Sequence, residues 1–259
     1  ASDVDVTGIA RRTAGFSGAE LANVVNEAAL LATRHRSTAI GPAHLSEAVE
    51  RTVAGPTRRS RVLTAADRRR IAVHEAGHAL VGAALVGGGQ VTKISVLGRG
   101  SAGGFTLSVP EADRVLATRS ELLARLSALL GGRVAEELCL GEASTGAHDD
   151  LAQAARLARQ MVADFGMSDG LGALALPEPA EGSAAPWSEA TLAALDAETR
   201  SIVGEAADRA AAVLRSSRTV LEALATALAD AETLEGAALE RFLGHIAPAE
   251  HPAMALVAS

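Results

Sequence analysis

A chain of 259 residues, 48% hydrophobic and 21% charged, can bury one or two cores and does not belong to the disordered class. A net charge of −7 gives no global support to a nucleic-acid role, and the single cysteine, Cys139, forbids an intrachain disulfide and fits a reducing compartment. Aromatics make up only 2%, with no tyrosine, so aliphatic helix formers must build the cores and the expected class is mainly α.

Residues 1–54 read as a small helical unit. In "GFSGAELANVVNEAALLATRHR", Ser17 and Glu20 form a capping box, and Leu21, Val24, Val25, Ala28 and Leu31 follow at helical spacing. A further helix follows Pro42. "AGPTRRSR" at 54–61 has the composition of a linker, and a second domain opens near Thr64, where Thr64 and Asp67 again suggest a cap. The arginines at 58, 59, 61, 68, 69 and 70 read as a solvated linker and first helical turn.

The helix beginning at Thr64 carries "IAVHEAGHAL" at 71–80 and is expected to stop at Gly87–Gly89. At 3.6 residues per turn His74 and His78 share one face, close enough for both imidazoles to ligate one metal ion, and the spacing suits zinc. Glu75 lies roughly 100° round the helix, beside the metal rather than on it, where a general base for an attacking water belongs. Ile71, Val73, Leu80, Val81 and Leu85 give this helix an apolar surface for the core.

"VTKISVLGRGSAGGFTLSVP" at 91–110 reads as a hairpin-like pair of strands, with Phe105, Leu107 and Val109 alternating with Thr106 and Ser108. Its Gly98, Gly100 and Gly103 match a dinucleotide fingerprint by letter, but a strand follows rather than a helix, so no helix N-terminus is available for a pyrophosphate. Lys93 is the only lysine and lacks the Gly-Lys-Ser/Thr context of a P-loop, so no ATPase activity is expected of this chain. From about Ser120 the chain is helical, through "SELLARLSALLGGRVAEELCL" and "DDLAQAARLARQMVADFG". A Pro/Gly/Ser-rich loop at 177–188 precedes two long helices within about 190–246.

Catalytic zinc needs a third protein ligand and an open position. "STGAHDDLAQA" offers His148, Asp149 and Asp150 at a helix start, where aspartates also serve as caps, and spacing alone does not choose among the three. Glu136 or Glu137 could orient a ligand histidine. No apolar run reaches the ~20 residues that span a bilayer and no signal segment is recognisable, so a soluble chain is expected.

"GFSGAELANVVNEAAL", "HEAGHAL", "GGRVAEEL" and "STGAHDDLAQAARLARQMVADFGMS" stand in the order found in FtsH-type proteases, the membrane-anchored ATP-dependent zinc metalloproteases, and the chain resembles that family over nearly its whole length, up to the "ETLEG" helix region. The resemblance implies a helical lid of a AAA-type ATPase module at 1–54, a linker at 55–63 and a zincin-like zinc metallopeptidase domain at 64–250 with a small β-sheet. It implies His74, His78 and Asp150 as ligands of one Zn2+ per subunit and Glu75 as the catalytic base. The family usually has Ser-Asn where His148 and Asp149 stand here.

The expected activity is endopeptidase cleavage of unfolded or flexible polypeptides. The strand pair could grip such a substrate by adding it as a further strand. By resemblance the chain works in a hexameric homo-oligomer, in the cytoplasm or on the cytoplasmic face of a membrane reached only through segments absent here. No nucleic-acid partner and no nucleotide binding are expected. The competing reading is a non-catalytic ring-assembly module with a degenerate metal site.

Overall fold

Several helix starts follow short polar side chains that reach the free amides of the first turn. The computed structural model describes residues 1–56, 63–85, 90–99, 103–109, 116–176 and 187–246. Helices α1 (Val6–Arg12), α2 (Gly18–Arg34) and α3 (Pro42–Ala54) come first. Ser17 and Glu20 form the reciprocal cap of α2, the hydroxyl accepting from the Glu20 amide and the Glu20 carboxylate from the Ser17 amide. Helix α4 (Ala65–Ala84) is capped by Thr64 through the Asp67 amide, but the Asp67 carboxylate takes the Thr64 hydroxyl instead of its amide. The expected stop of α4 at Gly87–Gly89 and residues 57–62 of the expected linker lie outside the described residues.

Strands β1 (Gln90–Ser95) and β2 (Phe105–Val109) pair antiparallel, with an irregularity of register between Val91 and Lys93. Helices α5 (Arg119–Leu140), α6 (His148–Ala163), α7 (Glu189–Ser216) and α8 (Arg218–Ala231) follow, with one 3-10 turn at Thr145–Ala147 before α6. The region expected to hold two helices up to about 246 is broken after α8: Glu232 adopts a left-handed conformation, Thr233–Glu235 forms a strand, β3, and Ala237–Leu243 a short helix, α9. "ETLEG" is therefore a strand and its flanks, not helix, because β3 finds backbone partners on β1, 138 to 142 positions away in the chain. The sheet order is β2-β1-β3.

Three apolar clusters organise these elements. Val24, Ala28, Leu31, Ala48 and Val49 join α2 to α3, while Leu21 and Val25 of the same apolar repeat stay exposed. A second cluster joins α4, the sheet, α8 and α9, with Leu80, Ile94, Leu221 and Leu228 fully buried. A third joins α5, α6 and α7 around Leu123, Leu126, Met161 and Leu195. Helices α4 and α5 touch backbone to backbone. A Cβ on Gly77 would strike the Gly131 carbonyl oxygen, and one on Gly131 would lie 2.8 Å from that of Gly77.

Helix α3 is tied to the sheet by charge. Glu50, 2% exposed, accepts from Arg99 at 2.6 Å and from Lys93 at 3.0 Å, and Arg99 also reaches Glu47 at 2.7 Å. The sole lysine of the chain thus has a structural pairing. Arg68 pairs with Glu232 at 2.8 Å and Arg70 with Glu136 at 3.0 Å, so that part of the arginine cluster expected to be solvated in fact fastens α4 to its neighbours.

Candidate metal centre

The α4 backbone sets His74 and His78 one turn apart, with their Nε2 atoms 2.9 Å from each other. Each ring is oriented from its far side. His78 Nδ1 lies 2.7 Å from the Ala128 carbonyl oxygen, which can only accept, so Nδ1 carries the hydrogen and Nε2 offers its lone pair. His74 Nδ1 lies 2.7 Å from Glu136 Oε1 and by the same logic donates to it.

Asp150, in the first turn of α6, brings Oδ2 to 3.2 Å from His74 Nε2 and 3.4 Å from His78 Nε2. These three residues are the group of potential ligands found among the described residues. His148 and Asp149 on the same turn are exposed. Tetrahedral zinc with bonds of about 2.0–2.1 Å separates its ligand atoms by about 3.3 Å. The separations of 2.9, 3.2 and 3.4 Å bracket that value, so the donor set fits zinc with a fourth position left over.

Electrostatics favour a cation here. Burial disfavours a charged His74 ring, but hydrogen bonds to Asp150 and Glu136 and the charge of Glu75 outweigh it and push its pKa up to about 10. Burial likewise opposes ionisation of Asp150, yet contact with both histidines holds it well below the usual carboxylate range. Glu136 is 1% exposed. Burial works against its charge too, but bonds from His74, Ser144 and Arg70 bring its pKa down to about 2. It therefore stays ionised and locks α4, α5 and the turn before α6 together. Of the two glutamates considered for this role, Glu137 pairs with Arg133 instead, on the surface.

Glu75 is buried on the other flank of α4, where burial raises its pKa and the two histidines and the Thr106 hydroxyl oppose the rise. Its Oε2 accepts from Thr106 Oγ1 at 2.8 Å. Sequence reasoning missed Thr106, Ser144 and the Gly131–Gly132 pair. The glycines carried a legible signal, since two adjacent glycines inside a helix each cost about 1 kcal/mol relative to alanine and call for a reason. The reason is proximity: a Cβ on Gly132 would lie 2.5 Å from both Nε2 atoms.

The chain is similar to known zinc metalloproteases. The sequence pattern of peptidase family M41 matches residues 61–242, and that of the AAA+ lid domain matches residues 3–47. An ATP-dependent zinc metalloprotease FtsH 2 of Symbiobacterium thermophilum is 44% identical over 241 residues, covering 93% of this chain and 41% of its own length. An FtsH 3 of Sphaerobacter thermophilus is 46% identical over 244 residues, covering 94% of this chain and 49% of its own length. An FtsH of Rubrobacter xylanophilus is 44% identical over 259 residues, covering 96% of this chain and 40% of its own length. The chain thus spans less than half the length of these relatives. No helix among the described residues is long and apolar enough to cross a membrane.

Proposed function

Because the chain belongs to peptidase family M41, we propose that it is the zinc-dependent endopeptidase part of an ATP-dependent protease, carrying an AAA+ lid at 1–54, a linker at 55–63 and the peptidase domain at 64–250. His74, His78 and Asp150 hold one zinc ion, and Glu75 is the general base. The observation that carries the reading is the triangle of two Nε2 atoms and one carboxylate oxygen, with both Nδ1 atoms engaged by acceptors that turn the Nε2 atoms toward the site.

When bound there, zinc supplies Lewis-acid polarisation of the scissile carbonyl and acidifies water. Glu75 takes the proton from the attacking water and delivers it to the leaving amine, so no covalent intermediate on the chain is required. Glu136 and the Ala128 carbonyl keep the two imidazoles in the tautomer that ligates. Among the described residues strand β2 lies at an edge of the sheet, and an extended polypeptide can add to it through main-chain hydrogen bonds. Such a grip reads little side-chain identity and suits unfolded or flexible substrates.

A motor supplied by further sequence would feed substrate in, within a homo-hexameric ring in the cytoplasm or at the cytoplasmic face of a membrane. The test is zinc stoichiometry measured alongside casein hydrolysis, with and without a chelator. About one zinc per chain and hydrolysis abolished by the chelator are expected. Hydrolysis that persists in a metal-free sample would overturn the proposal.

A further inference from the structure

The start of β2 faces the buried flank of α4, and Thr106 on the strand and Gly104 just before it meet the carboxylate of Glu75 from different sides. Thr106 Oγ1 donates to Oε2 at 2.8 Å and lies 3.3 Å from the Glu75 carbonyl oxygen. A Cβ on Gly104 would stand 2.7 Å from Oε1, 2.7 Å from Ile71 Cγ2 and 2.7 Å from the Ser95 carbonyl oxygen, so only glycine leaves room beside that oxygen. Register fixes the Thr106 contact: Thr106 pairs with Ile94 and Phe105 with Ser95 on the central strand, whose Ile94 is fully buried. A one-residue slip of β2 would turn Thr106 to the opposite face, away from Glu75.

The geometry points to Thr106 as the positioning residue for the catalytic base, with Gly104 keeping the approach to Oε1 clear. The inference rests on the assignment of Glu75 as general base. A carboxylate on a flexible side chain has several rotamers open to it. A hydroxyl occupying one lone pair of Oε2 selects a single one and leaves Oε1 to exchange protons with water. The edge that would receive the substrate backbone and the hydroxyl that holds the base then belong to one strand, so a peptide docked on β2 is registered against Glu75 by construction.

The test uses the zinc-loaded chain and a flexible peptide substrate. Thr106→Val keeps the shape and removes the hydroxyl; kcat should fall by about 10-fold or more while KM, zinc content and unfolding midpoint stay near wild type. Thr106→Ser should restore most of kcat. In a Glu75→Gln background Thr106→Val should cause no further loss, because it acts only through that carboxylate. Unchanged kcat in Thr106→Val, with Glu75→Gln inactive, would overturn this inference and leave the assignment of the base intact. Near-normal turnover in Glu75→Gln would overturn both. An equal loss from Thr106→Val with and without Glu75, or loss of zinc with it, would show a merely structural role and also overturn the inference.

Discussion

Gly132→Ala adds one methyl group at the point where α5 passes the paired Nε2 atoms of α4. The new Cβ would lie 2.5 Å from His74 Nε2 and His78 Nε2 and 2.6 Å from His74 Cδ2, whereas ordinary contact begins near 3.4 Å. Each ring would have to retreat by roughly 0.9 Å, but each is held from behind by a hydrogen bond of 2.7 Å, to Glu136 and to the Ala128 carbonyl. Metal sites tolerate ligand displacements of only about 0.2 Å. Removing a supporting partner typically costs about 10- to 100-fold in affinity, so displacing two ligands together should cost at least ~100-fold.

The fold should survive Gly132→Ala. Helix propensity gains about 1 kcal/mol, against an overpacking cost of about 1–3 kcal/mol. Zinc affinity by chelator competition, alongside thermal unfolding of the metal-free protein, separates the two effects. Gly204→Ala in α7, where the added Cβ meets nothing within 4 Å, is the control and should be neutral or stabilising. Wild-type zinc affinity in Gly132→Ala would refute the packing argument.

Other outcomes follow from the same geometry. Asp150→Ala should lose zinc and activity together while His148→Ala and Asp149→Ala retain most of both; metal analysis and casein hydrolysis decide, and metal lost with His148 but kept without Asp150 would reverse the ligand assignment. His74 titrates near 10, so before metal binds at pH 7–8 its ring is protonated, and zinc must displace that proton. Zinc affinity should therefore rise with pH toward that value, with about one proton released per zinc in calorimetry across buffers of different ionisation enthalpy; release near zero would contradict it. Glu50→Ala leaves the Arg99 guanidinium, 4% exposed, with Glu47 as its remaining carboxylate and should cost about 3 kcal/mol in urea unfolding. A change under 0.5 kcal/mol would mean the cluster is more solvated than its burial implies.

What the sequence by itself determined is local. The Ser17 and Glu20 cap of α2 and the shared face of His74 and His78 follow from one helical turn, because periodicity reports interactions three or four residues apart. The pairing of the two imidazoles was legible for the same reason. Spacing left His148, Asp149 and Asp150 open, and resemblance to a known family singled out Asp150. In the structure the choice depends on the phase of α6 relative to a helix 72 residues earlier, which local pattern does not encode.

Tertiary structure alone brought Gly132 against the imidazoles, through the crossing of Gly77 and Gly131, and set Thr106 on Glu75 through the register of β2 with β1. It also made a strand of Thr233–Glu235, whose backbone partners on β1 lie far away in the chain. In each case the deciding partner is remote in sequence. Side-chain identity supplies the capacity for the contact, and packing of the helices and the sheet decides which residues use it.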